Sequence, residues 1–397
     1  MTPPSLPLPL AAPEEIGLSS VRLARVGAVM RGEIERGRVP GAVALVARRG
    51  RLGLFESFGQ RDAASGAPMA KDTIFRIYSM TKPITSVAAM MLWEEGRFLL
   101  GDPVAKYLPD LAGLQVAVAR GGEIERVPVE RAITIQDLLR HTSGFTYEFR
   151  GSGPVHKMYQ SARLYSRTQS NAEQVAALGK IPLLHQPGTR WEYGRSTDVV
   201  GRLVEVLSGQ PLSVFFEQHI LAPLGMVDTA FHVPQRHHSR LAEAFARDPG
   251  SGAAVQLLDV RTPPKFESGG GGMVSTASDY ARFLQMLLDG GTLDGRRLLS
   301  RKTIELMTAD HLGPMTGAPD LLLPGHGFGL GFAVRLHAGI AAVPGSVGQY
   351  FWGGLAGTTF WVDPAEQLFA LLLIQAPGQR DYFRTLYRDL VYSAIDD

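Results

Sequence analysis

Between residues 329 and 374, four short strand-like segments (329–336, 348–352, 358–362 and 367–374) follow one another with only turns between them. Parallel neighbours need a crossover of about a dozen or more residues, usually a helix, so this spacing favours antiparallel pairing. Near the N-terminus, residues 41–48 and 52–58 flank Arg49-Gly50 and read as a β-hairpin. A helix from Ser19 or Ser20 to about Glu35 precedes it, with Val21, Leu23, Val26, Val29 and Met30 as its apolar stripe, and Gly37 and Pro40 end it. A further helix, residues 380–395, closes the chain. Between these ends the pattern is mostly helical. Residues 102–209 hold short segments opening at Thr134, Ser170 and Ser196, with a small hairpin between Leu114 and Val129. The glycine-rich run 269–274 reads as a strand leading into a helix capped by Thr276. The expected fold is therefore α/β: an antiparallel sheet flanked by helices and interrupted by an inserted, mainly helical domain. The expected division is 1–89 and 201–397 for the sheet domain, and 90–200 for the insertion.

One stretch carries a chemical signal. Ser79-Met80-Thr81-Lys82 is the only Ser-x-x-Lys in the chain, and it opens an apolar helix with Pro83 in its first turn and Gly96 as its stop. Residues three apart on a helix are neighbours. A hydroxyl at the positive end of a buried helix, with an amine one turn on, makes a serine nucleophile without histidine. A cap followed by a solvent-facing lysine satisfies the same four letters. Two later stretches bear on the choice. The loop Gly188-Thr-Arg-Trp-Glu-Tyr193-Gly-Arg195-Ser196 carries a phenol among aromatics, which packing alone also explains. Trp352-Gly353-Gly354-Leu355 ends a strand with two glycines, permitting close approach of backbone or ligand.

Composition excludes several alternatives. The 397 residues are 45% hydrophobic and 20% charged, which fits a globular chain with a substantial core. A net charge of +2 from intermixed signs points away from nucleic acid or an anionic membrane as partner. The absence of cysteine excludes disulfides, thiolate metal sites and cysteine nucleophiles. No metal-type histidine spacing occurs, and His237-His238, beside Arg236 and Arg240, reads as a wet surface loop; neither metal nor cofactor is expected. His141 follows a helix end at Arg140 and is read as satisfying a terminal carbonyl. The esterase elbow Gly-x-Ser-x-Gly is absent, since Pro344-Gly345-Ser346-Val347-Gly348 fails at its first position. Residues 1–13 form a proline-rich arm without a positive n-region, and no apolar run reaches membrane-spanning length, so a cytoplasmic protein is expected.

The order Ser-x-x-Lys, then a tyrosine in a later loop, then an x-Gly-Gly strand end resembles the serine β-lactamase and penicillin-binding-protein superfamily. It is most similar to the family VIII carboxylesterases related to class C β-lactamases. The motif-bearing stretches are 75–82, 138–145, 187–193 and 268–279, and the resemblance spans nearly the whole chain. It implies a β-lactamase/transpeptidase-like fold, with Ser79 as nucleophile, Lys82 against it, and Tyr193 as base toward attack and acid toward the leaving group. It also implies an oxyanion hole of the Ser79 and Leu355 backbone N–H groups. Substrate contacts would come from Trp352, Gly353, Gly354, Tyr147 and Arg195.

The acid–base chemistry has a physical account of its own. Free lysine titrates near ~10.4 and free tyrosine near ~10, so neither is a base at neutral pH unless perturbed. As a cation Lys82 stabilises a Tyr193 phenolate; as a neutral amine it takes the Ser79 proton itself, and the pair titrates jointly. The expectation is proton transfer through Tyr193 with Lys82 mostly cationic. In lactamases the third motif usually begins with a cation that pairs with the substrate carboxylate. Trp352 at that place replaces charge with apolar area, which favours a small neutral ester over an anionic β-lactam. Where the family has Tyr-x-Asn, this chain reads Tyr193-Gly194-Arg195, which counts against peptide-like recognition. The expected activity is hydrolysis of short- to medium-chain esters through an acyl-enzyme, with acyl transfer and weak lactam turnover as side activities. A β-lactamase, a DD-peptidase, an amide hydrolase of the aminohexanoate-oligomer type and a catalytically idle binding module are the alternatives.

Overall fold

A computed structural model describes residues 6–120, 123–315 and 321–397. Helix α1 (Ser20–Glu35) leads into the hairpin β1 (Gly41–Arg48) and β2 (Arg51–Asp62), followed by the short strands β3 (Ala67–Pro68) and β4 (Phe75–Arg76) and by helix α2 (Thr81–Glu94). The middle of the chain holds the ribbon β5 (Gln115–Arg120) and β6 (Glu123–Pro128), then α3 (Ile135–Leu139), α4 (Pro154–Ser161), α5 (Asn171–Leu178), α6 (Ser196–Ser208), α7 (Leu212–Phe216) and α8 (Ala222–Leu224). After it come β7 (Val274–Ser275), α9 (Ala277–Leu288), β8 (Thr292–Leu293), β9 (Arg296–Arg297) and α10 (Arg301–Met307). Strands β10 (His326–Phe328), β11 (Ala333–Arg335), β12 (Tyr350–Gly353), β13 (Thr359–Asp363) and β14 (Leu368–Leu373) precede the closing helix α11 (Arg380–Tyr392).

The two ends of the chain build one sheet, in the order β10-β11-β12-β13-β14-β1-β2-β3, and every pairing in it is antiparallel. The central position of β1 explains its apolar run from Ala42 to Ala47, because all eight residues of the strand are buried. Alternate side chains serve two cores. Ala42, Ala44 and Val46 pack on one face with Leu23, Val26 and Met30 of α1 and Phe383, Tyr387 and Val391 of α11. Val43, Leu45 and Ala47 pack on the other with Phe75, Ile84 and Val87, in a core that continues through the helical part of the chain. Among the described residues no single helix is long and apolar enough to cross a membrane.

Three details differ from the sequence expectation. Val21 does not join the stripe of α1; it is 75% exposed, and the buried face runs Leu23, Val26, Gly27 and Met30 at helical spacing. The run 269–273 is a loop rather than a strand; only Val274–Ser275 is extended, pairing with β4 and, through Val274, with Ala230. Ser79 lies not inside α2 but in the 3-10 turn Tyr78–Met80 ahead of it, entered through Tyr78 at φ 43. In a 3-10 turn side chains three apart eclipse, so the Ser79–Lys82 neighbourhood survives the change of helix type. The left-handed conformation of a bulky residue just before Ser79 is a strained entry that the surrounding core enforces.

The segment from α3 to Tyr147 is anchored by Asp137. Its carboxylate accepts from Thr134 N–H and Oγ1, Arg131, Arg140 and Thr142 Oγ1, closing a capping box at α3. Burial alone would raise its pKa, but these donors hold it down at about 2, against 3.8 for the free side chain. The stabilisation is therefore present above about pH 4 and lost as pH falls through the folded value, an effect of about 2 kcal/mol. Asp137→Asn should lower the melting temperature at neutral pH, and the gap from wild type should narrow as melts are run from pH 4 towards pH 2.

Candidate active site

Five separate segments converge on Ser79. The 3-10 turn supplies its Oγ, and α2 supplies Lys82, whose side chain is fully buried. An ammonium has three donors and no acceptor. Lys82 Nζ meets Ser79 Oγ at 3.3 Å, Tyr147 Oη at 3.1 Å and, at shorter range, the Gly270 carbonyl. Tyr193 Oη stands 2.7 Å from Ser79 Oγ, with Lys82 Nζ 4.6 Å from the centre of its ring. From the end of β12, Trp352 Nε1 donates to Tyr193 Oη at 3.3 Å. Tyr193 oxygen thus has an indole donor on one side and the serine hydroxyl on the other. That arrangement puts the phenol oxygen within proton-transfer distance of Ser79 Oγ.

Behind these groups lies a scaffold that sequence inspection did not single out. Asp198, at the start of α6, accepts from Ser268 Oγ at 2.5 Å and from Gly270 N–H at 2.9 Å, turning the Gly270 carbonyl towards Lys82. A Cβ at Gly270 would come within 2.9 Å of that carboxylate, so the loop needs glycine there. His141 is fully buried, accepts from Gly194 N–H at Nδ1 (3.4 Å) and meets Thr197 Oγ1 at Nε2 (3.3 Å). Its ring therefore braces the Tyr193 loop, while only its backbone N–H turns back on α3, to the Leu138 carbonyl. Burial first, and then the charge of Lys82, push its pKa well below the usual histidine range, so it is neutral. Burial likewise holds Tyr147 well above the ordinary phenol value, so it stays protonated beside Lys82.

Arg195 lines the site with both terminal nitrogens engaged by carboxylates, while its buried Nε finds no partner among the described residues. It is bidentate to Glu148 at 2.9 Å, reaches Asp198 at 3.3 Å, and lies over the Tyr147 ring. Gly353 and Gly354 lie where the strand end passes close to other groups: a Cβ at Gly354 would meet the Ile77 carbonyl at 2.5 Å, and one at Gly353 the Arg384 guanidinium at 2.5 Å. Leu355 N–H has no hydrogen-bond acceptor among the described residues. Arg384, on α11, was invisible as a site residue in the sequence. It reads there as one more charge on an amphipathic terminal helix.

Two cavities open on Ser79. One, of about 290 Å³, is walled by Tyr147, Phe149, Tyr165, Leu258, Phe266 and the Gly270 loop. The other, of about 410 Å³, holds Tyr193, Trp352, Gly353 and Gly354 with Arg150, Arg380 and Arg384. Ser79, Phe149 and Leu355 border both.

The fold places a serine within hydrogen-bond distance of a lysine and a tyrosine, as a serine hydrolase requires. The beta-lactamase family model matches residues 26–393, and the chain belongs to that family. An uncharacterised protein of Mycobacterium tuberculosis is 39% identical over 360 residues, 88% of each chain. Esterase EstB of Burkholderia gladioli is 33% identical over 402 residues, covering 96% of this chain and 98% of its own. Among solved structures, EstCE1, a hydrolase with promiscuous acyltransferase activity, superposes with a TM-score of 0.77 at 29% identity, over 94% of this chain and 99% of that one.

The contact between Trp352 and Tyr193 sets a test. Trp352→Phe keeps the ring and removes the donor, which is worth about 1.5 kcal/mol or more toward a charged acceptor. With p-nitrophenyl butyrate as substrate, kcat/KM should then fall by about 10-fold. Tyr193→Phe should cost about 10²-fold or more in kcat at every pH.

Proposed function

We propose that the protein is a serine carboxylesterase that hydrolyses short- to medium-chain esters through an acyl-enzyme on Ser79, with acyl transfer to alcohols as a side reaction. The observation that carries this reading is the placement of Ser79 Oγ between Tyr193 Oη at 2.7 Å and Lys82 Nζ at 3.3 Å, beside an indole rather than a cation at the head of the third motif. Ser79 attacks the ester carbonyl as its proton passes to Tyr193. The tetrahedral oxyanion is held by the Ser79 and Leu355 N–H groups. Tyr193 then returns the proton to the departing alkoxide, leaving the acyl group on Ser79. Water, or a second alcohol, repeats the sequence in reverse and frees the serine.

The leaving alcohol must sit where Tyr193 can protonate it, and Tyr193 lines the larger cavity only. The alcohol half therefore belongs in the cavity with Trp352, and the acyl chain in the apolar one between Phe149 and Phe266. A cavity of about 290 Å³ suits a short or medium chain. The relatives' names agree with the chemistry: Esterase EstB is an esterase, and EstCE1 combines hydrolase and acyltransferase activity.

A fluorophosphonate should label Ser79 in the wild type and leave Ser79→Ala unlabelled and inactive. In a p-nitrophenyl ester series, kcat/KM should peak at short to medium acyl length. Phe266→Ala should move the optimum to longer chains, because the acyl cavity deepens while the alcohol side is untouched. Comparable rates on p-nitrophenyl butyrate and on a cephalosporin would overturn the preference for esters.

A further inference from the structure

Arg384 stands in the first two turns of α11 and reaches across to the end of β12. Its side chain is 30% exposed, toward the cavity it shares with Tyr193 and Trp352, and its Nε finds no hydrogen-bond partner. Among the described residues its only carboxylate neighbour is Asp381, at 3.5 Å and itself 79% exposed. Desolvation by the surrounding protein brings its pKa down to about 10, which leaves it cationic at neutral pH. An ion pair at that distance to so exposed a carboxylate is screened by solvent and fixes the guanidinium only weakly.

What holds it is a backbone carbonyl. Arg384 Nη2 donates to the Gly354 oxygen at 2.6 Å. The same oxygen accepts from Gly357 N–H at 3.1 Å, closing a turn whose central residues are Leu355 and Ala356. Gly353 has to be glycine for the guanidinium to lie there, since a Cβ would come within 2.5 Å of Nη2. In a trans peptide the C=O and N–H point in opposite directions. Two donors pinning the Gly354 oxygen on one side therefore aim Leu355 N–H to the other. A charged donor on the oxygen also polarises the peptide and strengthens its N–H as a donor.

We propose that Arg384 is a positioning residue for oxyanion stabilisation: by gripping the Gly354 carbonyl it orients and polarises the Gly354–Leu355 peptide towards the carbonyl oxygen of the substrate. The proposal rests on the acyl-enzyme reading of Ser79. It adds the C-terminal helix to the reaction, although α11 packs on the far face of the sheet from most of the site.

The test separates orientation from anchoring. Arg384→Met keeps the length of the side chain and removes the donor. With p-nitrophenyl butyrate it should lower kcat by about 10- to 100-fold while KM moves less than about threefold. Affinity for an aryl trifluoromethyl ketone, whose adduct with Ser79 carries an oxyanion, should fall by the same factor. Affinity for the matching methyl ketone should not change. Arg384→Lys, which still donates to the carbonyl, should recover most of the lost rate. Gly353→Ala, which displaces the guanidinium without altering Arg384, should reproduce the loss and serves where Arg384→Met does not fold. A folded Arg384→Met or Gly353→Ala enzyme with unchanged kcat overturns the proposal. So does a rate loss without loss of trifluoromethyl ketone affinity. Failure of the wild type to show a p-nitrophenol burst or Ser79 labelling would instead overturn the acyl-enzyme reading itself.

Discussion

The arrangement depends on a buried ammonium. Lys82 is shut off from solvent and touches no carboxylate among the described residues, so its charge is met by oxygen dipoles alone. Removing an ion from water is costly unless each of its donors is satisfied. The Ser79 hydroxyl, the Tyr147 phenol and the Gly270 carbonyl satisfy all three, and each comes from a different part of the chain. The partners are themselves held: Gly270 by Asp198, Tyr147 by the stacked Phe149 and the overlying Arg195. The same cation that costs the fold solvation supplies positive potential next to Ser79 and Tyr193. The neutrality of His141 keeps a second positive charge from forming beside it.

Around that ion the sheet and the helical part of the chain meet from opposite sides. The strand end of β12 contributes Trp352 and the Leu355 N–H, while the helical segments bring Tyr147, Tyr193 and the Arg195–Glu148–Asp198 cluster. Trp352 changes the character of the site in two ways. It gives Tyr193 a neutral hydrogen-bond donor, and it covers the alcohol side with aromatic surface. Trp352 removes the cation from the head of the third motif, but positive charge is present elsewhere on that side, in Arg150, Arg380 and Arg384. Of these, Arg384 donates to the backbone just past the strand, at the Gly354 carbonyl.

Which parts of this were legible follows from which interactions are local. The sheet elements announce themselves by turn spacing and by runs such as 42–47, apolar at every position because both faces are covered. Capping boxes at Thr134 and Ser170 are readable because both partners lie within four residues. The glycine loop at 268–272 resisted reading because its apolar ending imitates a strand, whereas its conformation is set by Asp198, far away in sequence. The turn that presents Ser79 was read as helix for a similar reason. Local propensity is satisfied by either geometry, and the left-handed Tyr78 is imposed by packing, with its hydroxyl accepting from Leu258 N–H at 2.8 Å.

By itself the sequence determined the chemical inventory: one Ser-x-x-Lys, a loop tyrosine, a tryptophan before two glycines, and no cysteine. It also favoured an antiparallel sheet, since short connections suit antiparallel neighbours, although the pairing of β1 with β14 joins the two ends of the chain. Only the tertiary structure decided how those groups act on one another. The distance from Tyr193 to Ser79, the donor from Trp352, the carbonyl that holds Lys82 and the grip of Arg384 on Gly354 all join residues remote along the chain. Hydrogen bonds depend on ångström-scale position, and position across such separations is set by the packing of the whole core, which no local pattern encodes.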